Sequence, residues 1–282
     1  MFRPSLDAAK FADGYRLGLS RDSSRGPAGA RLGKGSGSSL EFQDRRDYAA
    51  GDDIRHIDWR TFARTNQLQI KLYREEISPR VEILVDNSRS MRTEESKAQR
   101  AIDLAALLGH VARADGFQVS VIALGDDIEV LPQDRFDASG LEFDSRAPLQ
   151  EALRRARPLL RAGALRFVIS DFLSPHDAQE LVRPLSASAG GLTLMQVLSK
   201  ADSSPQIGRA LRLTDAETNE TIELVLDSSS VKLYHDRLQK LQEALSEESR
   251  RAHGCLATVM SADAFAQDCS GTLMRLGVLE GA

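Results

Sequence analysis

Short apolar segments alternate with segments of helical periodicity from residue 81 onward, and this alternation limits the fold more than any other feature of the sequence. The helical segments keep their apolar residues on one face, as amphipathic helices do. Apolar strands separated by such helices favour an α/β fold, with a mainly parallel sheet and helices on both faces. We predict strands at residues 80–86, 117–124, 166–172, 192–199 and 255–260, hairpin strands at 127–132 and within 211–226, and helices at 94–114, 147–160, 175–189 and 230–251.

The first 80 residues follow a different pattern. Residues 5–19 have the spacing of a short amphipathic helix, and residues 20–39 are rich in Gly, Ser and Arg, which is typical of a flexible or extended segment. Gly33-Lys34 is followed by Gly35 rather than by Ser or Thr, so the phosphate-binding Walker A pattern is not met. We predict three parts: a flexible or partly helical segment at 1–39, a segment packed on the core at 40–80, and an α/β domain with a C-terminal elaboration at 81–282.

The composition excludes several classes of protein. The net charge is −4, and the basic residues are interspersed with acidic ones, so no basic stripe for nucleic acid is present. Cys255 and Cys269 form neither a CxxC pair nor a disulfide framework, which indicates a reducing, cytoplasmic location. No apolar run reaches the ~18 residues of a membrane span, so we expect no membrane insertion.

Polar side chains follow the two most apolar predicted strands. Asp86 ends one of them and is followed at alternate positions by Ser88 and Ser90; Asp171 ends the other. The carboxyl ends of parallel strands are where α/β sheets bind ligands, so these residues are expected at one edge. Carboxylate and hydroxyl oxygens are the ligands that Mg²⁺ prefers. The alternative is that they bond backbone amides in strand-to-helix turns, as part of a metal-free structural scaffold.

Three segments carry a resemblance to known families. The segments DNSRSM and VISDF resemble the metal-ion-dependent adhesion site of von Willebrand A-type domains. The stretch GSGSSLEFQDRRDYAAGDDIRHIDWRTFAR resembles the bacterial family called domain of unknown function 58. This resemblance implies a von Willebrand A-like core with an N-terminal extension and a Mg²⁺ site.

Carried onto this sequence, the adhesion-site pattern assigns metal-binding roles to Asp86, Ser88, Ser90 and Asp171. The threonine that such domains place before their third helix has no counterpart, because Ala147 stands in that register. Ser145 or Asp144 substitutes for it after a small shift of register; otherwise the metal site is degenerate.

The resemblance implies a protein-binding adaptor, not an enzyme, that works with a MoxR-type AAA+ ATPase. The competing hypothesis is an aspartate-dependent phosphohydrolase with Asp86 as nucleophile. Haloacid-dehalogenase-type hydrolases need a second aspartate two residues later, and Ser88 stands there. The upstream GDDIRHIDWR is interpreted as a network of salt bridges and caps, or as a docking surface, with Trp59 packed and His56 part of the network.

Overall fold

The computed structural model of the chain describes residues 2–18, 40–49, 52–75, 80–132, 138, 140–174, 176–205, 210–214, 221–225 and 227–282. The chain forms two compact units. The larger one comprises residues 1–26 and 79–282, and the smaller one residues 27–78.

The strands and the α-helices of the described residues are numbered separately, each in chain order. The strands are β1 (Tyr15–Leu17), β2 (Leu40–Asp47), β3 (Gln69–Glu75), β4 (Arg80–Asp86), β5 (Gln118–Leu124), β6 (Ile128–Val130), β7 (Leu165–Ser170), β8 (Gly191–Leu198), β9 (Ala210–Thr214), β10 (Thr221–Val225), β11 (Cys255–Met260) and β12 (Leu279–Gly281). The helices are α1 (Leu6–Ala12), α2 (Trp59–Thr65), α3 (Glu95–Ala114), α4 (Leu149–Ala156), α5 (Ala178–Ser186), α6 (Lys200–Ser203), α7 (Ser228–Arg251) and α8 (Phe265–Gln267).

A six-stranded sheet forms the centre of the larger unit. Its strand order is β11-β8-β7-β4-β5-β6, and every neighbouring pair is parallel except β5 and β6, which form the predicted antiparallel hairpin. The pair β9 and β10 forms the second predicted hairpin. This sheet confirms the fold class predicted from the sequence, an α/β fold with a mainly parallel sheet.

Both faces of the sheet are covered, which explains why β4 is buried from Val81 to Asp86. Successive strand side chains point to opposite faces. Ile83 and Val85 therefore join the core beneath α1 and α3, whereas Leu84 joins the core beneath α4, α5 and α7. Each such aliphatic side chain stabilises the fold by about 1.5–3 kcal/mol through its removal from water. Among the described helices, none is long and apolar enough to cross a membrane.

The N-terminal residues differ from the prediction of one helix over residues 5–19. The helix α1 ends at Ala12, because a turn follows in which the Gly14 amide donates to the Phe11 carbonyl. The chain then forms β1, which pairs antiparallel with β12 at the other end of the sequence. Residues 2–18 therefore belong to the α/β unit, while the predicted flexible stretch at 20–39 lies outside the described residues.

The smaller unit consists of the antiparallel pair β2 and β3 with α2 between them in the chain. Buried Asp58 caps α2 through the amides of Arg60 and Thr61, and it accepts a hydrogen bond from Arg45 Nε at 2.7 Å. This ion pair with Arg45 lowers the pKa of Asp58 well below its ordinary value, in spite of burial. Trp59 was predicted to pack; it meets the Phe62 ring edge-on with 6.2 Å between the ring centroids, but it is 60% exposed.

Salt bridges and caps form within the segment that the sequence analysis singled out. Arg46 pairs with Asp52, and Arg55 pairs with Asp53, which also caps the short 3₁₀ turn Ile54–His56. The network interpretation of the alternating acids and arginines is thus supported inside this unit. Packing of residues 40–80 on the core stays a prediction.

Candidate functional site

The neighbouring strands β4 and β7 end at the same edge of the sheet, and both end in an aspartate. Asp86 is the last residue of β4, and Asp171 directly follows β7. Both side chains are buried. The structure thus places these two predicted site residues at the carboxyl edge of adjacent parallel strands.

The Asp86 carboxylate is held by hydrogen bonds to both of its oxygens. Oδ1 accepts from the Ser88 amide at 2.9 Å, and Oδ2 accepts from the Ser170 hydroxyl at 2.6 Å. Burial raises the pKa of Asp86 to about 6, the negative charge of Asp171 adds to this effect, and the hydrogen bonds from Ser170 and Ser88 oppose it. A buried carboxylate with a raised pKa at a sheet edge is typical of a functional site.

The two serines of the D-x-S-x-S segment lie together. Their Oγ atoms are 2.9 Å apart, with Ser88 buried and Ser90 partly exposed. Asn87 between Asp86 and Ser88 supports the loop from the other side, since its Oδ1 accepts a hydrogen bond from the Phe143 amide at 2.8 Å. The segment therefore presents two adjacent hydroxyl oxygens next to a buried carboxylate, and Ser90 connects them to solvent.

Ser145 lies beside this segment, whereas the other two residues considered for the third motif do not contact it through their side chains in the described contacts. Ser145 forms a parallel bridge with Ser88, in which its amide donates to the Asn87 carbonyl and its carbonyl accepts from the Arg89 amide. Its Oγ accepts from the Ala147 amide at 3.2 Å. Of the residues considered for the third motif, the one that pairs with the D-x-S-x-S segment is thus Ser145, two residues before the register that the family pattern indicated.

Asp171 has a partner that sequence reasoning missed. Its Oδ2 accepts a hydrogen bond from Lys97 Nζ at 2.7 Å, and the same ammonium group lies 2.9 Å from Asp202 Oδ2. Lys97 is 1% exposed. Burial lowers the pKa of Lys97, but the charges of Asp171 and Asp202 outweigh burial and raise it overall, so the ammonium stays protonated.

A sequence signal for Lys97 existed. Lys97 precedes Ala101 and Leu104 by four and seven residues, so it lies on the apolar stripe of α3. A cation on such a stripe must find a buried counter-charge, because an unpaired buried charge is very costly.

The ion pair reaches further into the fold through Asp202. Its side chain and Ser199 form a reciprocal capping box at the start of α6, and its carbonyl accepts from the Tyr234 hydroxyl of α7 at 2.6 Å. Burial, followed by the charges of Asp202 and Asp171, raises the pKa of Tyr234 to about 12. On the other side, Gln196 Nε2 donates to the Asp171 carbonyl at 3.0 Å. The polar edge of the sheet is thereby tied to α3, α6 and α7.

The donors at this edge of the sheet are oxygen atoms, which is the donor type of a hard divalent cation. Asp86, Ser88, Ser90 and Ser145 present only oxygen atoms, which Mg²⁺ prefers, and Mg²⁺ keeps several waters when few protein ligands are available. Among the described residues, no group of three or more His, Cys, Asp and Glu side chains could hold a metal, which is the arrangement a zinc site would use. Asp171 differs from the other donors, because an ammonium group already neutralises it.

Comparisons with known proteins identify the family of the chain. The model of a family described as "Protein of unknown function DUF58" matches residues 44–245. Among curated proteins, no significant sequence match was found. Among solved structures, the chain is similar to the conserved hypothetical protein BatB from Bacteroides thetaiotaomicron, with 14% identity, a TM-score of 0.37 and coverage of 67% of this chain and 93% of that one. It is also similar to an aerotolerance-related membrane protein from Bacteroides fragilis, with 18% identity, a TM-score of 0.39 and coverage of 64% and 91%.

Proposed function

We propose that this chain, which belongs to the DUF58 family of proteins of unknown function, is a protein-binding module whose partner docks at the carboxyl edge of the sheet. The observation that carries this proposal is the pair of hydroxyls of Ser88 and Ser90, 2.9 Å apart beside the buried carboxylate of Asp86. An acidic, hydroxyl-lined edge that opens to solvent through Ser90 suits a divalent cation and a ligand bound to it.

Mg²⁺ is the cation we propose, with Asp86, Ser88 and Ser90 holding it and Ser145 as the adjacent third hydroxyl. A bound Mg²⁺ would supply positive charge and an exchangeable coordination position for a carboxylate of the partner. The protein residues have the supporting tasks: the Ser88 amide and the Ser170 hydroxyl orient Asp86, and Asn87 fixes the loop.

The partner that we propose is a MoxR-type AAA+ ATPase, in the cytoplasm. Membership of the DUF58 family supports this choice, because members often lie beside genes for such ATPases. We assign no catalytic role to Asp86. A phosphohydrolase of the haloacid-dehalogenase type needs an acid two residues after its nucleophile, and the residue here is Ser88.

The metal site is tested by calorimetric titration of Mg²⁺ and Mn²⁺ into metal-stripped protein. We expect saturable binding to the wild type, no binding to Asp86→Ala, and a loss of about tenfold or more in affinity for Ser88→Ala, because each change removes an oxygen ligand. Asp236→Ala is the matched control, since Asp236 is an exposed aspartate on α7. Equal binding by the wild type and Asp86→Ala would refute the assignment.

The partner is tested by measuring binding between this chain and the MoxR-type ATPase from the same organism, in Mg²⁺ and in EDTA. We expect binding in Mg²⁺ that is lost in EDTA and in Asp86→Ala but kept in Asp236→Ala. Binding that ignores both EDTA and Asp86→Ala would move the docking surface elsewhere on the chain.

A further inference from the structure

We propose that Lys97 is a resident cation of this site. Its ammonium group neutralises Asp171, so a divalent ion binds to Asp86 and the serine hydroxyls. The inference deepens the proposed function and rests on it for the metal-binding half of the site. It makes Lys97 the residue that sets the affinity for the metal, and Asp171 the counter-ion of Lys97 rather than a metal ligand.

The first argument is the position of the ammonium group. Lys97 Nζ lies 2.7 Å from Asp171 Oδ2 and 2.9 Å from Asp202 Oδ2, and both Lys97 and Asp171 are buried. Charge-assisted hydrogen bonds of this length between buried partners are strong. The other oxygen of Asp171, Oδ1, accepts from the Leu173 amide at 3.0 Å. Both oxygens of Asp171 therefore have protein partners.

The second argument is the balance of charge at the edge of the sheet. Asp86, Asp171 and Asp202 would together attract a divalent cation strongly, but Lys97 neutralises one of these charges and repels a second cation. Inside a protein, where the effective dielectric constant is below that of water, this repulsion is stronger than it would be in water. We therefore expect a weak metal site in the free chain, which a carboxylate from a partner would strengthen.

The third argument is that Lys97 is built into the fold rather than placed there by chance. Lys97 lies on the apolar stripe of α3, and its second partner, Asp202, is fixed by the capping box with Ser199. Tyr234 holds the same turn through the Asp202 carbonyl. These contacts restrict the flexible lysine side chain, which has four rotatable bonds, to one conformation.

The experiment is a double-mutant cycle with the wild type, Lys97→Met, Asp171→Asn and the double variant. Mg²⁺ affinity is measured by calorimetry, and melting temperature is measured in EDTA and in Mg²⁺. We expect Lys97→Met to raise Mg²⁺ affinity about tenfold or more, because Asp171 becomes free to attract the metal. Asp171→Asn should then cost at least about tenfold more affinity in the Lys97→Met background than in the wild type.

Stability supplies a readout that does not depend on the affinity. In EDTA, Lys97→Met leaves Asp171 buried without its cation, so the melting temperature should fall by roughly 5–15 °C. Mg²⁺ should restore a large part of that loss in Lys97→Met but not in the double variant, where no charge is left to neutralise. Lys240→Met, at an exposed position of α7, is the matched control and should change neither quantity.

The outcomes separate this inference from the proposed function. Binding of Mg²⁺ to the wild type with no gain in Lys97→Met would keep the metal site and overturn the role of Lys97. No binding to the wild type, but Asp171-dependent binding to Lys97→Met, would support Lys97 as the resident cation and reject a metal-bearing site in the native chain. An absence of binding in all four proteins would overturn both. If Lys97→Met fails to fold even in Mg²⁺ while the double variant folds, the charge of Asp171 cannot be met by the metal, and the inference also fails.

Discussion

The strand β4 carries a buried ionic cluster near each end, and the two clusters are built differently. Near the start, Glu82 Oε2 accepts from Arg166 Nε at 2.8 Å, and Glu82 Oε1 accepts from the Arg161 amide at 2.6 Å. The remaining Arg166 nitrogens donate to fixed carbonyls, Nη1 to Leu185 and Nη2 to Arg161, both at 2.6 Å. At the far end, the cation is Lys97, and its ammonium group pairs with the side chains of Asp171 and Asp202 rather than with backbone carbonyls. Asp86 and Asp171, like Glu82, each accept from one backbone amide and one side chain.

The difference teaches which of the two clusters can change partners. The guanidinium of Arg166 donates to backbone carbonyl groups, and these cannot turn away from it as side chains can. The hydroxyls of Ser88 and Ser90 at the other end can turn to a ligand, because each has the other side chain as a partner. Buried ion pairs do not by themselves indicate function, so the contrast in partners is the more informative feature.

The largest effect is expected at the start of the strand. Arg166→Met leaves Glu82 as an unpaired buried charge and several carbonyls without a donor, so the free energy of unfolding should fall by about 3–5 kcal/mol. Urea denaturation measures it, with exposed Arg154→Met on α4 as the control, expected within about 0.5 kcal/mol of the wild type. A loss below about 1 kcal/mol would mean that this cluster is as adaptable as the other one.

A comparable effect of opposite sign is expected at the far end. The pKa of Asp86 is raised to about 6 in the fold from an ordinary 3.8, so the folded chain binds this proton more tightly than the unfolded chain. The free energy of unfolding should therefore fall as pH rises from about 4 to about 6, by about 3 kcal/mol from this group. Asp86→Asn should remove that slope and stabilise the metal-free chain at pH 7.

The pH dependence is measured by urea denaturation between pH 4 and pH 7 in EDTA, with Asp236→Asn as the control at an exposed position. The slope should persist in the control. If Asp86→Asn keeps the slope of the wild type, the burial of Asp86 is not a cost to the fold, and the contrast between the two clusters weakens.

The smallest effect is expected where the far cluster meets α7. Tyr234→Phe removes one hydrogen bond, from the Tyr234 hydroxyl to the Asp202 carbonyl, so the free energy of unfolding should fall by about 1 kcal/mol. Urea denaturation measures this as well. A loss above about 3 kcal/mol would show that the far cluster depends on α7 as rigidly as Glu82 depends on Arg166.

Much of the fold and half of the polar edge were predictable from the sequence for a topological reason. Parallel strands end at one edge, so finding Asp86 and Asp171 at the ends of two apolar strands is enough to place them near each other. The partners Lys97 and Asp202 were not predictable in the same way, because they come from other elements. A charged residue on an apolar stripe indicates that a counter-charge exists, but the local sequence does not say which one.

Two further differences have local causes. Trp59 was expected to pack, yet its edge-on contact with Phe62 of the same seven-residue helix leaves it exposed. Ser145 was predicted only as one of two substitutes for the missing threonine, because the preceding loop is irregular and its register could not be fixed from the sequence. Phe143 in that loop has a φ of +54°, a left-handed conformation that phenylalanine rarely adopts and that the sequence therefore does not predict.

The pairing of β1 with β12 makes the α/β unit a closed circuit, because the first and last strands of the sequence are neighbours. The Ala282 amide even donates to the Gly14 carbonyl at 3.0 Å. Residues 27–78 are then an insertion into one connection of that circuit. A circular permutant that begins at residue 79, joins residue 282 to residue 2 by a linker and ends at residue 26 would keep every strand pairing of the sheet while leaving the inserted unit out. Binding measurements on such a chain would show which of the two units carries each binding property of the protein.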